Sequence, residues 1–227
     1  AARKSARKTV DIGHEPGRII QPTGFDLAPD GAFVVADVPR AQQRLQTFSP
    51  AGAAVGSFQL PGQPVARIIA DNLMLNGAGS VRHTGRTLLL SHPESGALFT
   101  EYSLRGYAQR SSGNLRATGF EGDRSLHIAM NAGLPLVNPK GGFYYVFITG
   151  APMLRKYDAD GSLIYERYIY GRELDPYLAA QPNRWPRREV QDREVPFVTP
   201  VVRAAAVDRD GRVWISLGIP YTYVYDA

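Results

Sequence analysis

Apolar positions in this chain fall in short runs separated by clusters of Gly, Asp, Pro and Ser, and the stretch Thr23 to Phe58 sets the pattern. There two apolar runs flank the turn Pro29-Asp30-Gly31, a third run ends at Phe48, and a fourth begins after Pro50-Ala51-Gly52. Runs of this length rich in Val, Phe and Leu, bounded by Asp-Gly or Pro/Gly pairs, read as strands joined by tight turns. Four strands connected in this way make one small antiparallel sheet, which is the blade of a β-propeller.

The arrangement recurs. Gly31, Gly85, Gly142 and Gly211 each close the first turn of a unit; Phe48, Tyr102, Tyr157 and Tyr225 stand where the third strand of each unit ends. Gly52, Gly106 and Gly161 follow the first three of those aromatics by the same short interval. Three landmarks advancing in step mark a repeat, whereas a β-sandwich with scattered Gly turns has no reason to keep them coupled. The predicted blades are 23–58, 79–113, 134–169 and 204–227, after a lead-in over 1–22. The last is incomplete, since Lys156-Tyr157-Asp158-Ala159-Asp160-Gly161 is matched only by Val224-Tyr225-Asp226-Ala227. A closed ring usually takes four to eight blades, and an open one leaves an unpaired edge. The expectation is therefore an all-β propeller, six-bladed when complete, of which this sequence supplies about three and a half blades. Closure by a second copy is the alternative.

The form G-F-D-L-x-P-D-G, then F-V-V-A-D, then Q-R-L-Q-x-F-x-x-x-G over blade one resembles the NHL-type propeller family. That resemblance implies a ring whose ends meet through a strand shared between the first and last blades. Thr9-Val10-Asp11-Ile12 is then either the ring-closing strand or an extended lead-in. It also implies a periplasmic or secreted protein, because bacterial NHL-like propellers are often exported, and Ala1-Ala2 is the kind of small-residue start that signal cleavage leaves. A cytoplasmic location is the alternative. The second strand, Phe33–Asp37, is apolar nearly throughout, as befits a strand covered on both faces by neighbouring blades. Its equivalents are read as Thr87–Ser91, Tyr144–Ile148 and Val213–Leu217, which puts Tyr145 and Trp214 level with Val34 and Leu88 as inter-blade packing.

A chain of 227 residues with 44% hydrophobic content suffices for one large all-β domain. The net charge of +5 draws four of its charges from Arg3, Lys4, Arg7 and Lys8, a basic arm able to touch an anionic surface. A basic stripe interleaved with stacking aromatics is missing, which argues against nucleic acid as a partner. With no cysteine, the sequence holds no disulfide, thiolate metal site or cysteine nucleophile; this leaves the compartment open. No apolar run approaches the ~20 residues of a membrane-spanning helix.

Strand direction separates two ends of the ring. The first and third turns of each blade are short, and their Asp residues, as in Asp208-Arg209-Asp210-Gly211 and Asp158-Ala159-Asp160-Gly161, read as turn chemistry before calcium ligation. The connections between blades, 59–78, 111–133 and 170–203, gather at the other end. Connections this long are usually functional or disordered, so function is expected there. The last carries Tyr177, Trp185, five prolines and the cluster Arg184-Trp185-Pro186-Arg187-Arg188-Glu189, with a short helix expected over Asp175–Ala180, N-capped by Asp175.

Of the histidines, His83 abuts a short turn and is set aside; His92 with Glu94, and His127 with Asn131, fall in connections at the open end, and Asp37 ends a strand there. Together with Arg40 and Arg184 they are candidates to converge on the mouth of the channel. Imidazole and carboxylate groups would suit Zn or Mn, and oxygen ligands Ca, but no close spacing forces any two of these residues together. Six-bladed calcium lactonases share the fold and need several oxygen ligands at the mouth; only Asp37 answers, because Ser91, Ile148 and Leu217 hold the equivalent positions. NHL-type amidating lyases use histidine-bound metal and disulfides, and this cysteine-free sequence departs from them. Without a coherent catalytic set, the expectation is a non-enzymatic binding or scaffold module that needs no cofactor. Its long loops would contact a protein or extracellular polymer through Arg40, Tyr177, Arg184, Trp185 and Arg187. The alternative is a metal-dependent hydrolase or lyase using His92, Glu94 and His127, with Asp37, His92 and His127 as metal ligands.

Overall fold

Tight turns set the length of every strand. Gly31, at φ 85°, closes a turn in which its own N–H donates to Ala28 O (2.9 Å) and Ala28 N–H donates to Ala32 O (2.8 Å). The same pair of bonds recurs at Ser49–Ala53, Ser103–Tyr107, Asn138–Gly142, Asp158–Ser162 and Asp208–Arg212. Asp158 Oδ1 accepts from the N–H groups of Asp160 and Ser162, and Asp208 Oδ1 from those of Asp210 and Arg212, so these carboxylates stabilise their own turns.

A computed structural model of the chain describes residues 8–39, 42–61, 68–70, 73–190 and 193–226. Four antiparallel sheets follow one another in sequence order and form the blades of a β-propeller. Blade one holds Pro22–Leu27, Phe33–Asp37, Arg44–Phe48 and Ala54–Gln59; blade two holds Gly77–His83, Thr87–Ser91, Ala97–Ser103 and Ala108–Asn114. Blade three is built from Gly133–Val137, Phe143–Phe147, Met153–Tyr157 and Leu163–Tyr168, and blade four from Val202–Val207, Val213–Leu217 and Thr222–Tyr225. The first strands of successive blades lie side by side and line the axis. At the end that carries the short turns they surround an open cavity of about 520 Å³.

Blades adhere because alternate residues of each second strand point to opposite neighbours. Leu88 and Leu90 pack back against Val34, Ala36 and Leu45 of blade one. Leu89, between them, packs forward with Leu98 and Phe99 against Phe143, Tyr145, Phe147 and Tyr157. On the far side of blade three, Tyr144, Val146 and Leu154 meet Val213, Ile215 and Leu217 of blade four. Each fully buried Val, Leu or Phe contributes roughly 1.5–3 kcal/mol.

The register of blade three differs by one residue from the sequence expectation. Asn138 N–H donates to Gly142 O and Gly141 N–H to Asn138 O, so Gly141, not Gly142, is the counterpart of Gly31. Two consecutive glycines, both at positive φ, made either one a fit in sequence. Gly142 has its own constraint, since a Cβ there would lie 2.2 Å from Tyr157 O. Tyr144 is therefore level with Val34 and Leu88, and Phe147, not Ile148, with Asp37. Tyr145 is buried between blades, while Trp214 is not: 44% exposed, it lies on the side of blade four turned away from blade three, its indole N–H donating to Asp208 Oδ2 (3.0 Å). Val224 on that side, and Phe25 and Leu27 on blade one, are likewise exposed.

The lead-in pairs locally. Asp11–Ile12 runs parallel to Arg18–Ile19, and among the described residues it does not join the sheet of blade four, where a ring-closing strand would sit. It lies instead on blade one. Gln46 accepts from Gly17 N–H and donates to Arg18 O, both at 2.7 Å. The Arg44 guanidinium donates to His14 O (2.5 Å) and Arg18 O (3.0 Å), and it grips the fully buried Asp37 carboxylate at 2.9 and 2.6 Å. Breaking such a buried pair from one side strands a charge.

Two stability outcomes follow from this packing. Tyr145→Phe removes a hydroxyl bonded to Ser91 Oγ and Asn131 O, both at 2.8 Å, and is expected to lose about 1–3 kcal/mol in urea unfolding; a loss of zero would mean the bridge contributes nothing. Asp37→Ala is expected to lose about 3–5 kcal/mol, with part of that loss recovered in the double variant Asp37→Leu/Arg44→Met. A double variant no better than the single one would contradict a stranded guanidinium as the cause.

Candidate functional site

The end opposite the short turns is built by three segments that grip one another. The first is the single 3₁₀ turn Pro93–Ser95, which follows the second strand of blade two and ends on Gly96 at φ 86°. His92 precedes it, half-buried, with Nδ1 3.2 Å from the Tyr102 hydroxyl and 3.4 Å from Thr100 Oγ1. Burial pushes its pKa below the ordinary histidine value, which keeps the ring neutral. Glu94 shares the turn, and its backbone carbonyl accepts from the Arg124 guanidinium at 3.2 Å.

The second segment is the helix Arg124–Met130, inside the connection between blades two and three. Asp123 caps its N-terminus by accepting from Leu126 N–H (3.2 Å), and Leu126, Ala129 and Met130 bury the inner face. His127 turns to Thr118, whose Oγ1 is 2.8 Å from Nδ1, with Glu121 Oε1 at 3.9 Å. Asn131 closes the helix: its side chain accepts from Arg116 N–H (2.8 Å) and donates to His127 O (3.0 Å). The Arg116 guanidinium donates to the carbonyls of Met130, Thr149 and Ala151 and lies 4.3 Å from the centre of the Phe147 ring. Desolvation lowers its pKa to about 10, so it stays cationic at neutral pH.

The third is the excursion between blades three and four. It begins with the helix Asp175–Ala179, where Leu174 is the cap and Asp175 lies in the first turn with Pro176. The Tyr177 hydroxyl donates to Pro200 O (3.1 Å), tying the start of the excursion to its end. Tyr177, Ala180, Gln181, Pro182, Trp185 and Thr199 enclose a pocket of about 210 Å³. Arg187–Val190 then pairs antiparallel with Arg193–Pro196. Arg187 reaches Asp123, the cap of the preceding helix, as an ion pair and hydrogen bond. Arg184 and Arg188 are exposed, and Arg188 lies 5.0 Å from the centre of the Phe197 ring. Phe197 is 46% and Tyr170 79% exposed, large fractions for rings of this size.

Of the residues expected at this end, the structure brings Tyr177 and Trp185 to one pocket and joins Arg187 to the helix of His127. It does not gather Asp37, His92 and His127: each is held in a separate network, by Arg44, by Tyr102 and Thr100, and by Thr118 respectively. Among the described residues no group of three or more His, Cys, Asp or Glu stands close enough to hold a metal ion. Arg40, and Arg3, Lys4 and Arg7 of the basic arm, lie outside the described residues; Lys8 pairs with Asp11 at 2.6 Å. The helix and the hairpin were missed in the sequence although both left signals. Asp123 precedes Leu126, Ala129 and Met130 at helical spacing, and Arg-Glu-Val occurs twice about Gln191-Asp192.

Among the described residues no helix is long and apolar enough to cross a membrane. No protein-family model matches the chain, and no curated protein does either. Among solved structures, it is similar to a protein of unknown function from Bacteroides caccae, at 11% identity and a TM-score of 0.47, covering 86% of this chain and 55% of that one. It is also similar to a structure described as streptogramin B lyase, at 13% identity and a TM-score of 0.47, covering 92% of this chain and 67% of that one. The chain thus spans little more than half the length of the first and about two thirds of the second, and likeness at this level bears on neither activity nor ligand.

Proposed function

We propose that this protein is a non-enzymatic binding or scaffold propeller of the NHL type, which contacts a protein or an extracellular polymer through the excursion between blades three and four. The observation that carries the reading is the surface of that excursion. Exposed Arg184 and Arg188, the guanidinium of Arg188 laid against the half-exposed Phe197, and the open pocket between Tyr177 and Trp185 sit on one continuous segment. Arg, Tyr and Trp dominate the energetics of protein interfaces, because each offers a large contact area with a polar tip. The segment is also held in shape before any partner arrives. The hydroxyl of Tyr177 on Pro200, the Arg187–Asp123 pair and the Arg187–Pro196 hairpin fix it to the ring, which lowers the ordering cost of association.

On this reading the protein belongs outside the cytoplasm, and further blades complete the ring beside the exposed Phe25 and Leu27 on one side and Trp214 and Val224 on the other. In the test, a photo-crosslinking residue replaces Arg184 or Phe197, with one at Arg105, exposed in a short turn at the opposite end, as control. The expected result is a discrete crosslinked product from position 184 or 197 in the native host, lost when Trp185→Ala is added and absent from position 105. Equal labelling at all three positions would refute the assignment.

A further inference from the structure

The cavity at the other end of the axis, which takes in the His83 set aside in the sequence for abutting a short turn, is lined by all four first strands. Its walls include Leu27, Leu136, Val137, Ala205 and Val207, and the titratable groups facing it are Asp26, Arg82, His83, Asp208 and Arg209. The two carboxylates are already engaged. Asp26 Oδ2 accepts from His83 N–H at 2.6 Å. Asp208 accepts from Asp210 N–H and from Arg212 N–H and Nε, as well as from the Trp214 indole. The His83 ring, with Nδ1 accepting from Gly85 N–H at 3.0 Å, is held neutral by burial.

The arginines are not engaged in the same way. Arg82, from the first strand of blade two, donates through Nη1 to its own neighbour's carbonyl, Val81 O, at 3.0 Å. Among the described residues neither Arg82 nor Arg209 forms a salt bridge with a carboxylate. Desolvation lowers the Arg82 pKa, and the attraction of Asp26 opposes that shift only in part. A guanidinium carries five N–H donors in a planar fork that matches a carboxylate, and a desolvated cation is favoured only when its charge and donors are answered.

We propose that this cavity binds a small organic carboxylate with an apolar body, its head group held by Arg82 and its body against Leu27, Leu136, Val137 and Val207. The volume of about 520 Å³ lies within the ordinary range for small-molecule sites, and the aliphatic walls select against a bare inorganic anion. Arg209, exposed at the rim, adds long-range attraction for the same charge. This site is at the opposite end of the ring from the excursion and does not depend on the role proposed for that excursion; it is read from the four described blades, whose first strands further blades would extend around the same axis.

Isothermal titration with hexanoate, hexanol and inorganic phosphate tests the assignment. Hexanoate is expected to bind the unmodified protein in preference to the other two, and Arg82→Met to weaken it by about tenfold or more, with partial retention in Arg82→Lys. Ala206→Trp, at an exposed lining position, is expected to weaken binding by about tenfold or more by taking up part of the space, and it decides the matter alone if Arg82→Met does not fold. Failure of hexanoate to bind, undiminished binding to a folded Arg82→Met or to Ala206→Trp, or phosphate binding as tightly as hexanoate would each overturn the proposal.

Discussion

The constraint on which the rest of the molecule depends is the fully buried ring of Tyr145 between blades two and three. It stacks with Phe99 and meets Phe147 edge-on, and its hydroxyl bridges Ser91 of blade two to the carbonyl of Asn131, at the end of the helix that precedes blade three. One side chain therefore sets three things: how far apart the two blades stand, where the helix ends, and how the first strand of blade three begins. Gly133 is part of the same constraint, since a Cβ there would lie 2.2 Å from the Tyr145 ring. Burial drives the tyrosine's pKa upward, so the bridging group is the neutral hydroxyl throughout the physiological range.

From that junction the arrangement of the loop-bearing end follows. The helix closed by Asn131 places His127 beside Thr118 and Asp123 where Arg187 reaches it, and the hairpin of the excursion then lies alongside. The chemically suggestive residues at this end are occupied in holding the segments together. Asp37 answers Arg44, which in turn pins the lead-in, and His92 sits neutral against Tyr102. Among the residues left facing solvent at this end are Arg184, Arg188, Tyr170 and Phe197.

The two ends of the axis differ in kind for the same structural reason. Short turns at one end keep the surface close to the first strands and leave an open cavity with aliphatic walls and unanswered guanidinium donors. Long connections at the other end build a helix, a second short helix and a hairpin over the ring.

The repeat was legible in the sequence because turn chemistry is local. Glycine at positive φ and Asp accepting from the next N–H groups are dictated by neighbours in the chain, and these punctuated every blade. Where two glycines stood together the reading slipped by one residue, and the turn bonds of Asn138, with the pairing of Phe143 and Tyr157, settled the register. The roles of single side chains were not legible. Nothing near Asp37 in sequence says that Arg44 would have buried partners on the lead-in, nothing near Trp214 says that none of the described blades covers it, and nothing near Arg82 says that it faces a cavity. A strand's period of two is written in its own residues, but which neighbour each face meets, and how much water remains there, depends on segments distant in the chain. Tertiary structure alone decides it.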